Sequence, residues 1–393
     1  MTCPRRGFVL GLIHRVNYNW CKMFIVFLVL AVVTILSGWS NFDDGIETGP
    51  YKFKYPVSFG NRISIPEDNP TTKQGVYLGR MLFYEKKLSR DNTLSCAGCH
   101  HQNKAFTDGR PFGEGIEPIP ASRNSMSLAN LIWTRKYFWD SRAGSLEEQA
   151  VVPLTNPTEM GQSLEISVRK LRETTTYPPI FKLVFGEETI TGDRIVKAIA
   201  QFESTLISCN SHYDQYLEGA YKPTEQELKG MELFMTGPNA AQGIRGGNCV
   251  HCHGGVKNYL ELFHNNGLDS VPKDNGIETM TGLAADRGRF KAPTLRNIAL
   301  TGPYMHDGRF KMLEDVIDHY SDHIVESPSL SSFLRGESNE PGGHSLKLLP
   351  SEKKEIIAFL NMLTDSTFIT DPRFSDPNLP SAKIKFKSTA SSK

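Results

Sequence analysis

Apolar residues recur at helical spacing in several stretches of the chain. Leu78, Met81 and Leu82 form one, and Leu228, Met231 and Phe234 form another. Ile195, Val196, Ile199, Phe202 and Leu206 make a longer stripe, as do Ile356, Ile357, Leu360 and Leu363. Leu313, Val316, Ile317 and Tyr320 share one further face. Steps of three and four place such side chains on one side of a helix, so the pattern predicts amphipathic helices packed on a core. Thr224 with Glu227 reads as a capping box opening the helix before Met231, and Pro350-Ser351 opens the last stripe. Gly, Pro and Asn crowd residues 108–124, 237–248 and 336–343, which predicts long loops between helices. The expected class is mostly α.

One stretch is apolar without periodicity. Met23–Leu36 has fourteen residues and follows Arg5, Arg6, Arg15 and Lys22, with no acid before Ser40. A membrane-spanning helix needs about twenty residues, so this reads as the hydrophobic part of a secretory signal cleaved after Gly38-Trp39-Ser40. The twenty-two residues before it are long for such a signal, and an uncleaved inner-membrane anchor is the alternative. Without residues 1–40 the net charge is near −3, which is not the footprint of a nucleic-acid binder. About 350 residues remain, enough for two cores.

The chain carries an internal duplication. Gly79-Arg80-Met81-Leu82-Phe83 ends thirteen residues before Cys96, and Gly230-Met231-Glu232-Leu233-Phe234 ends fifteen before Cys249. Ser127-Leu128-Ala129-Asn130 matches Thr294-Leu295-Arg296-Asn297. Nine residues after each Asn stands Trp139, in Tyr137-Phe138-Trp139-Asp140-Ser141-Arg142, or His306, in Tyr304-Met305-His306-Asp307-Gly308-Arg309. Continued without a gap, the match places Pro153 opposite Tyr320.

The chemistry lies in two Cys-x-x-Cys-His motifs, Cys96–His100 and Cys249–His253. Each offers two thiols for thioether bonds to a haem and a histidine for its iron. Zinc knuckles usually lie within about twenty residues of each other, whereas these are more than 150 apart. A thioredoxin-like site would want a preceding strand, and none is indicated. Cys3 and Cys21 leave with the signal, so only Cys209 is left over and disulfides are not expected. Two covalent haem c groups with axial His100 and His253 are the expected cofactors.

The opposite face of each iron decides function. Pro153 has no donor and would leave the first haem open, whereas Tyr320 could close the second through its phenolic oxygen. Packing alone would also explain Tyr320, and Met305 and Met312 compete for the position. An open and a closed haem in one chain point to peroxide chemistry at one and electron storage at the other.

The paired haem motifs, the Trp139 segment, Asn156-Pro157-Thr158-Glu159-Met160 and Pro293–Asn297 through Gly308 resemble the bacterial di-haem cytochrome c peroxidases, and within them the MauG-like branch. The resemblance spans roughly Gly75 to Asp371. It implies two cytochrome c-like domains, each wrapped around one haem: 66–221, which binds peroxide, and 222–370, which transfers electrons. Flanking them are a 41–65 linker and a 371–393 tail expected to lie on the surface or fray. It implies that Trp139 relays charge between haems, that Glu159 is the distal acid/base with Gln149 beside it, and that His306 lies at the second haem. It further implies a calcium ion held by the Asn124 side chain and the carbonyls of Thr301 and Pro303, and Tyr320 as axial ligand of the second haem. Ordinary peroxidases carry a blocking histidine in the loop after the first motif. Here residues 102–123 hold neither His nor Met, so the site should be open without prior reduction; Met126 is the nearest rival.

The expected activity is reduction of hydrogen peroxide to water with electrons from a small periplasmic cytochrome c or cupredoxin. The first alternative is MauG-like oxidation of a partner protein or small molecule. All four tryptophans lie in the first half, so no tryptophan relay leads outward from the second haem. The second alternative is a non-enzymatic electron carrier, against which Glu159 and the open first haem argue.

Overall fold

Two helix crossings, one in each half, organise the protein. The computed structural model describes residues 45–378; the signal segment 1–40 lies outside the described residues, as does the tail beyond 378. In the first half the Lys73–Phe83 helix packs across Gly192–Glu203, and in the second Glu225–Met235 packs across Pro350–Met362. Each crossing depends on a glycine. A Cβ on Gly79 would lie 1.9 Å from the Ala198 carbonyl oxygen, and one on Gly230 would lie 1.8 Å from that of Glu355. Only a residue without a side chain lets the backbones approach so closely. Beside each glycine an aromatic pair closes the contact: Phe83 with Phe202 at 5.2 Å and Phe234 with Phe359 at 5.0 Å.

The helices begin as the sequence prescribes. Thr72 accepts a bond from the Gly75 amide, and Thr224 and Glu227 form the capping box. The described residues hold thirteen α-helices and one antiparallel pair of two-residue strands, Phe263–His264 with Phe290–Lys291. The mostly helical class is borne out. No helix among the described residues is long and apolar enough to cross a membrane.

The duplication extends to single hydrogen bonds. Asn130 and Asn297 are both left-handed, with φ of 64° and 63°. The Asn130 amide donates to the Leu206 carbonyl while its Oδ1 accepts from the Ser208 amide; Asn297 does the same with Leu363 and Asp365. Tyr137 bridges Ala143 as Tyr304 bridges Phe310. Phe138 and Met305, with φ of 65° and 74°, turn the chain alike before Trp139 and His306. The halves also exchange bonds reciprocally: the Asn124 amide donates to the His306 carbonyl, and the Lys291 amide to the Trp139 carbonyl. Asn124 and Lys291 stand at equivalent places in the repeat.

Both ends of the described chain pack onto this frame. Phe59 is buried against Trp133, and its carbonyl accepts from Lys257 Nζ at 2.7 Å. Phe368 and Phe374 bury themselves with Phe106, and Arg80 Nε donates to the Ser375 carbonyl at 2.6 Å. Residues 371–376 are therefore packed against the first half rather than frayed.

Candidate functional site

Each half encloses a cavity with one Cys-x-x-Cys-His motif in its wall. The first, about 450 Å³, is bordered by Cys96, Cys99 and His100. The second, about 180 Å³, is bordered by Cys249, Cys252 and His253. Both motifs form single-turn helices, Cys96–Cys99 and Val250–His253, which present the two cysteines of each motif one turn apart. None of the four is disulfide-bonded, and burial raises the pKa of each thiol.

The two motif histidines are prepared as ligands. His100 Nδ1 bonds the Phe106 carbonyl at 2.7 Å, and His253 Nδ1 bonds the Pro293 carbonyl at 3.1 Å. A carbonyl can only accept, so each ring carries its proton on Nδ1 and leaves the Nε2 lone pair for a metal. Burial lowers both pKa values, that of His253 to about 4, so the rings remain neutral. Two cysteines one turn apart, an oriented neutral imidazole and apolar walls fit a covalent haem in each cavity.

The rest of the first cavity is built by the Leu146–Thr155 helix and the turn after it. Gln149 and Pro153 line it from the helix, and Asn156 and Glu159 from the turn. Asn156 Nδ2 donates to Glu159 Oε1 at 2.8 Å, fixing the carboxyl. Burial raises the Glu159 pKa above the ordinary carboxylate value, with Asn156 and Arg142 opposing. The loop after the first motif covers this turn: the Ile116 amide donates to the Glu159 carbonyl, and Gly115 lies against the Thr158 carbonyl, where a Cβ would stand 1.8 Å away. Gly113 to Gly115 and Pro120 to Asn124 line the cavity, as does Met126.

The second cavity is the repeat with different occupants. The Leu313–Asp322 helix replaces Leu146–Thr155, and Val316 and Tyr320 line the wall where Gln149 and Pro153 line the first. Asn266 Nδ2 donates to the Tyr320 hydroxyl at 3.2 Å and to Met305 Sδ at 3.3 Å. Burial pushes the Tyr320 phenol up to about 12. Met305 and His306 also border this cavity, and His306 stacks on Phe290 at 3.8 Å. Met312 is 56 % exposed and borders neither motif cavity, so it is not a candidate ligand.

Trp139 borders both cavities, and its Nε1 donates to the Asn124 carbonyl at 2.9 Å. Between them lies a third cavity of about 90 Å³, lined by Asn124, Thr301 and Pro303 among others. Asn124 Nδ2 donates to the Arg110 carbonyl, which leaves its Oδ1 free to accept. Among the described residues no three His, Cys, Asp or Glu gather to hold a metal, so a cation here would rest on amide and carbonyl oxygens.

Several residues at these cavities carry no motif. Lys291 borders all three, and Asn266 and His264 border the second. Glu203 borders the first; it is 4 % exposed and its Oε2 has no partner among the described residues. Burial, reinforced by Glu147, pushes its carboxyl up to about 8. The duplication would have flagged Glu203, because the equivalent residue is Leu360, which lines the second cavity.

Comparison with known proteins identifies the family. The family model for di-haem cytochrome c peroxidase matches residues 73–222. The methylamine utilization protein MauG of Methylophilus methylotrophus is 32 % identical over 312 residues, covering 79 % of this chain and 88 % of that protein. The cytochrome c551 peroxidase of Nitrosomonas europaea is 34 % identical over 308 residues, covering 77 % of this chain and 82 % of that protein. A crystal structure of a MauG-like protein associated with microbial copper homeostasis superposes with a TM-score of 0.73 at 35 % identity, covering 83 % of this chain and 99 % of that one. With a haem-type motif in the wall of each cavity and relatives of both kinds along most of its length, the chain belongs to the di-haem cytochrome c peroxidase and MauG family.

Proposed function

We propose that this protein reduces hydrogen peroxide to water at the first cavity, with electrons delivered singly by a small cytochrome c or cupredoxin that docks at the second half. The observation that carries this reading is the pairing of Glu159 and Gln149 in a wall where Pro153 replaces the tyrosine of the other half. His100 and His253 would be axial ligands, with Cys96, Cys99, Cys249 and Cys252 the covalent anchors. When bound, the haems supply the iron that takes peroxide and the path for two electrons.

The protein's own residues manage the protons. Glu159, ionised and fixed by Asn156, would take a proton from one peroxide oxygen and return it to the other, so that water leaves as the O–O bond breaks. With two electrons and two further protons the products are two waters. Gln149 orients the bound peroxide, and Trp139, bordering both cavities, lies on the electron path. Tyr320 would offer its phenolic oxygen to the iron of the second haem, an oxygen donor that would favour high oxidation states. Asn124, Thr301 and Pro303 would hold a calcium ion. We place the protein in the periplasm, exported by residues 1–40 and cleaved there or left tethered to the inner membrane. We assign residues 66–221 and 222–370 to the two haem domains.

Tyr320, together with the MauG-like relatives, favours a second reading, oxidation of a partner protein by the same equivalents. The purified diferric protein, mixed with peroxide and a reduced cytochrome c or cupredoxin, separates the two. Fast donor oxidation without pre-reduction supports the peroxidase; slow donor oxidation with radical damage to an added partner supports the other. A requirement for prior one-electron reduction would contradict the open first site.

A further inference from the structure

The duplication that relates the two haem cavities also relates the candidate calcium ligands to a second set of residues. In the repeat, Asn124 corresponds to Lys291, Thr301 to Thr134, and Pro303 to Lys136. The correspondence is structural as well: Asn124 and Lys291 make reciprocal backbone bonds across the halves, to the carbonyls of His306 and Trp139. Asn124, Thr134, Lys291, Thr301 and Pro303 all border the cavity between the halves.

The second set already holds a cation. Lys291 Nζ donates to the Lys136 carbonyl at 2.5 Å, the oxygen equivalent to that of Pro303. Its side chain is 5 % exposed and lies over the Tyr259 ring at 5.1 Å and the Tyr137 ring at 6.0 Å. No carboxylate of the described residues reaches it in an ion pair; Glu261, which accepts from the Arg135 and Lys136 amides, is the acid that acts on it from a distance. An ammonium is a compact charge with three donors, suited to carbonyl oxygens as a small metal cation is.

The two sides differ in which oxygens remain free. Tyr137 donates its hydroxyl to the Thr134 carbonyl at 2.9 Å. Its counterpart Tyr304 donates instead to the Ile298 carbonyl at 3.0 Å. Among the described residues the Thr301 and Pro303 carbonyls receive no hydrogen bond. One side is therefore an open set of oxygens, and the other is the same set with its carbonyls taken by Lys291 and Tyr137.

We infer that the duplication contains two equivalent cation sites, one that takes a divalent ion at Asn124 and one filled by the chain's own Lys291 ammonium. This rests on the calcium reading given under Proposed function. The second site needs no ion from solution, and its charge stands beside both haem cavities and the Trp139 backbone. Burial lowers the Lys291 pKa to about 8, with Glu261 opposing, so the side chain remains largely an ammonium at neutral pH.

The test is calcium stoichiometry of the haem-loaded protein, stripped with a chelator and titrated with calcium chloride. Wild type should take one ion per chain. Lys291→Asn combined with Tyr137→Phe should free both carbonyls and take two. The reciprocal Asn124→Lys should take none, and its thermal midpoint should no longer respond to chelator. A wild type that takes one ion while the double variant also takes one overturns this inference alone, as does an Asn124→Lys protein that still takes one. A wild type that takes none overturns the calcium reading and this inference with it.

Discussion

Replacing Glu203 with glutamine should change how stability depends on pH. Glu203 ends the Gly192–Glu203 helix with its carboxyl inside the first cavity wall, beside the Glu147 carboxylate and without a partner on Oε2. Its folded-state pKa of about 8 lies above the ordinary 4.5, so between those values the folded protein binds a proton that the unfolded chain has released. Stability should therefore be undiminished below about pH 4.5, fall as pH rises towards 8, and level off above that. Each unit of pKa shift is worth about 1.4 kcal/mol, so across the window the loss is at most roughly 5 kcal/mol. Glutamine has no proton to lose and abolishes that slope; leucine, the residue at the equivalent position 360, should abolish it and pack better. Urea denaturation of the haem-loaded wild type and Glu203→Gln at pH 5, 6, 7 and 8 measures the difference. Parallel stability curves for the two proteins would refute the burial of an ionisable carboxyl at this point.

Three further outcomes are expected. Mass spectrometry of the mature protein should show two haems added covalently and none of residues 1–40; a haem-free product from a host with a working attachment system would contradict both cavities. Gly230→Val, which drives a branched side chain into the Glu355 carbonyl, should cost about 1–3 kcal/mol in thermal stability, whereas an unchanged midpoint would mean the crossing tolerates a wider spacing. Tyr320→Phe should vacate the sixth position of the second haem, and Tyr320→Met should raise its potential. A methionine charge-transfer band in the wild type, lost in Met305→Leu, would sink the tyrosine assignment.

Much of this architecture was legible because it is written twice. The glycine-to-phenylalanine pairs, the two asparagines and the Trp139 and His306 centres each predicted one another, and the pairing of Pro153 with Tyr320 followed by counting. What escaped were solitary polar residues at apolar places. Glu203 lies between Phe202 and Leu206 on a stripe where a charged residue reads as the solvent face, yet the helix is enclosed on that side too. Lys291 ends a two-residue strand and carries no motif that marks it as buried, and Asn266 gains meaning only when folding brings Met305 and Tyr320 to it. The tail reads as surface from its Pro, Ser and Lys; Phe374 in the Phe106 cluster and the bonds from Arg80 and Tyr84 to its carbonyls hold it.

The central claim is that Glu159 moves the proton that breaks peroxide in the first cavity, and the Glu159→Gln variant tests it most directly. Glutamine keeps the size and the contact with Asn156 while removing the base. Both haems and the resting spectra should remain, while peroxide cleavage measured by stopped flow should slow by about a hundredfold, or roughly 2.7 kcal/mol in barrier. In wild type the rate should rise with pH through a value above 4.5, because burial raises the Glu159 pKa, and the variant should lose that limb. Cleavage at the wild-type rate, with the same pH profile, would contradict the account.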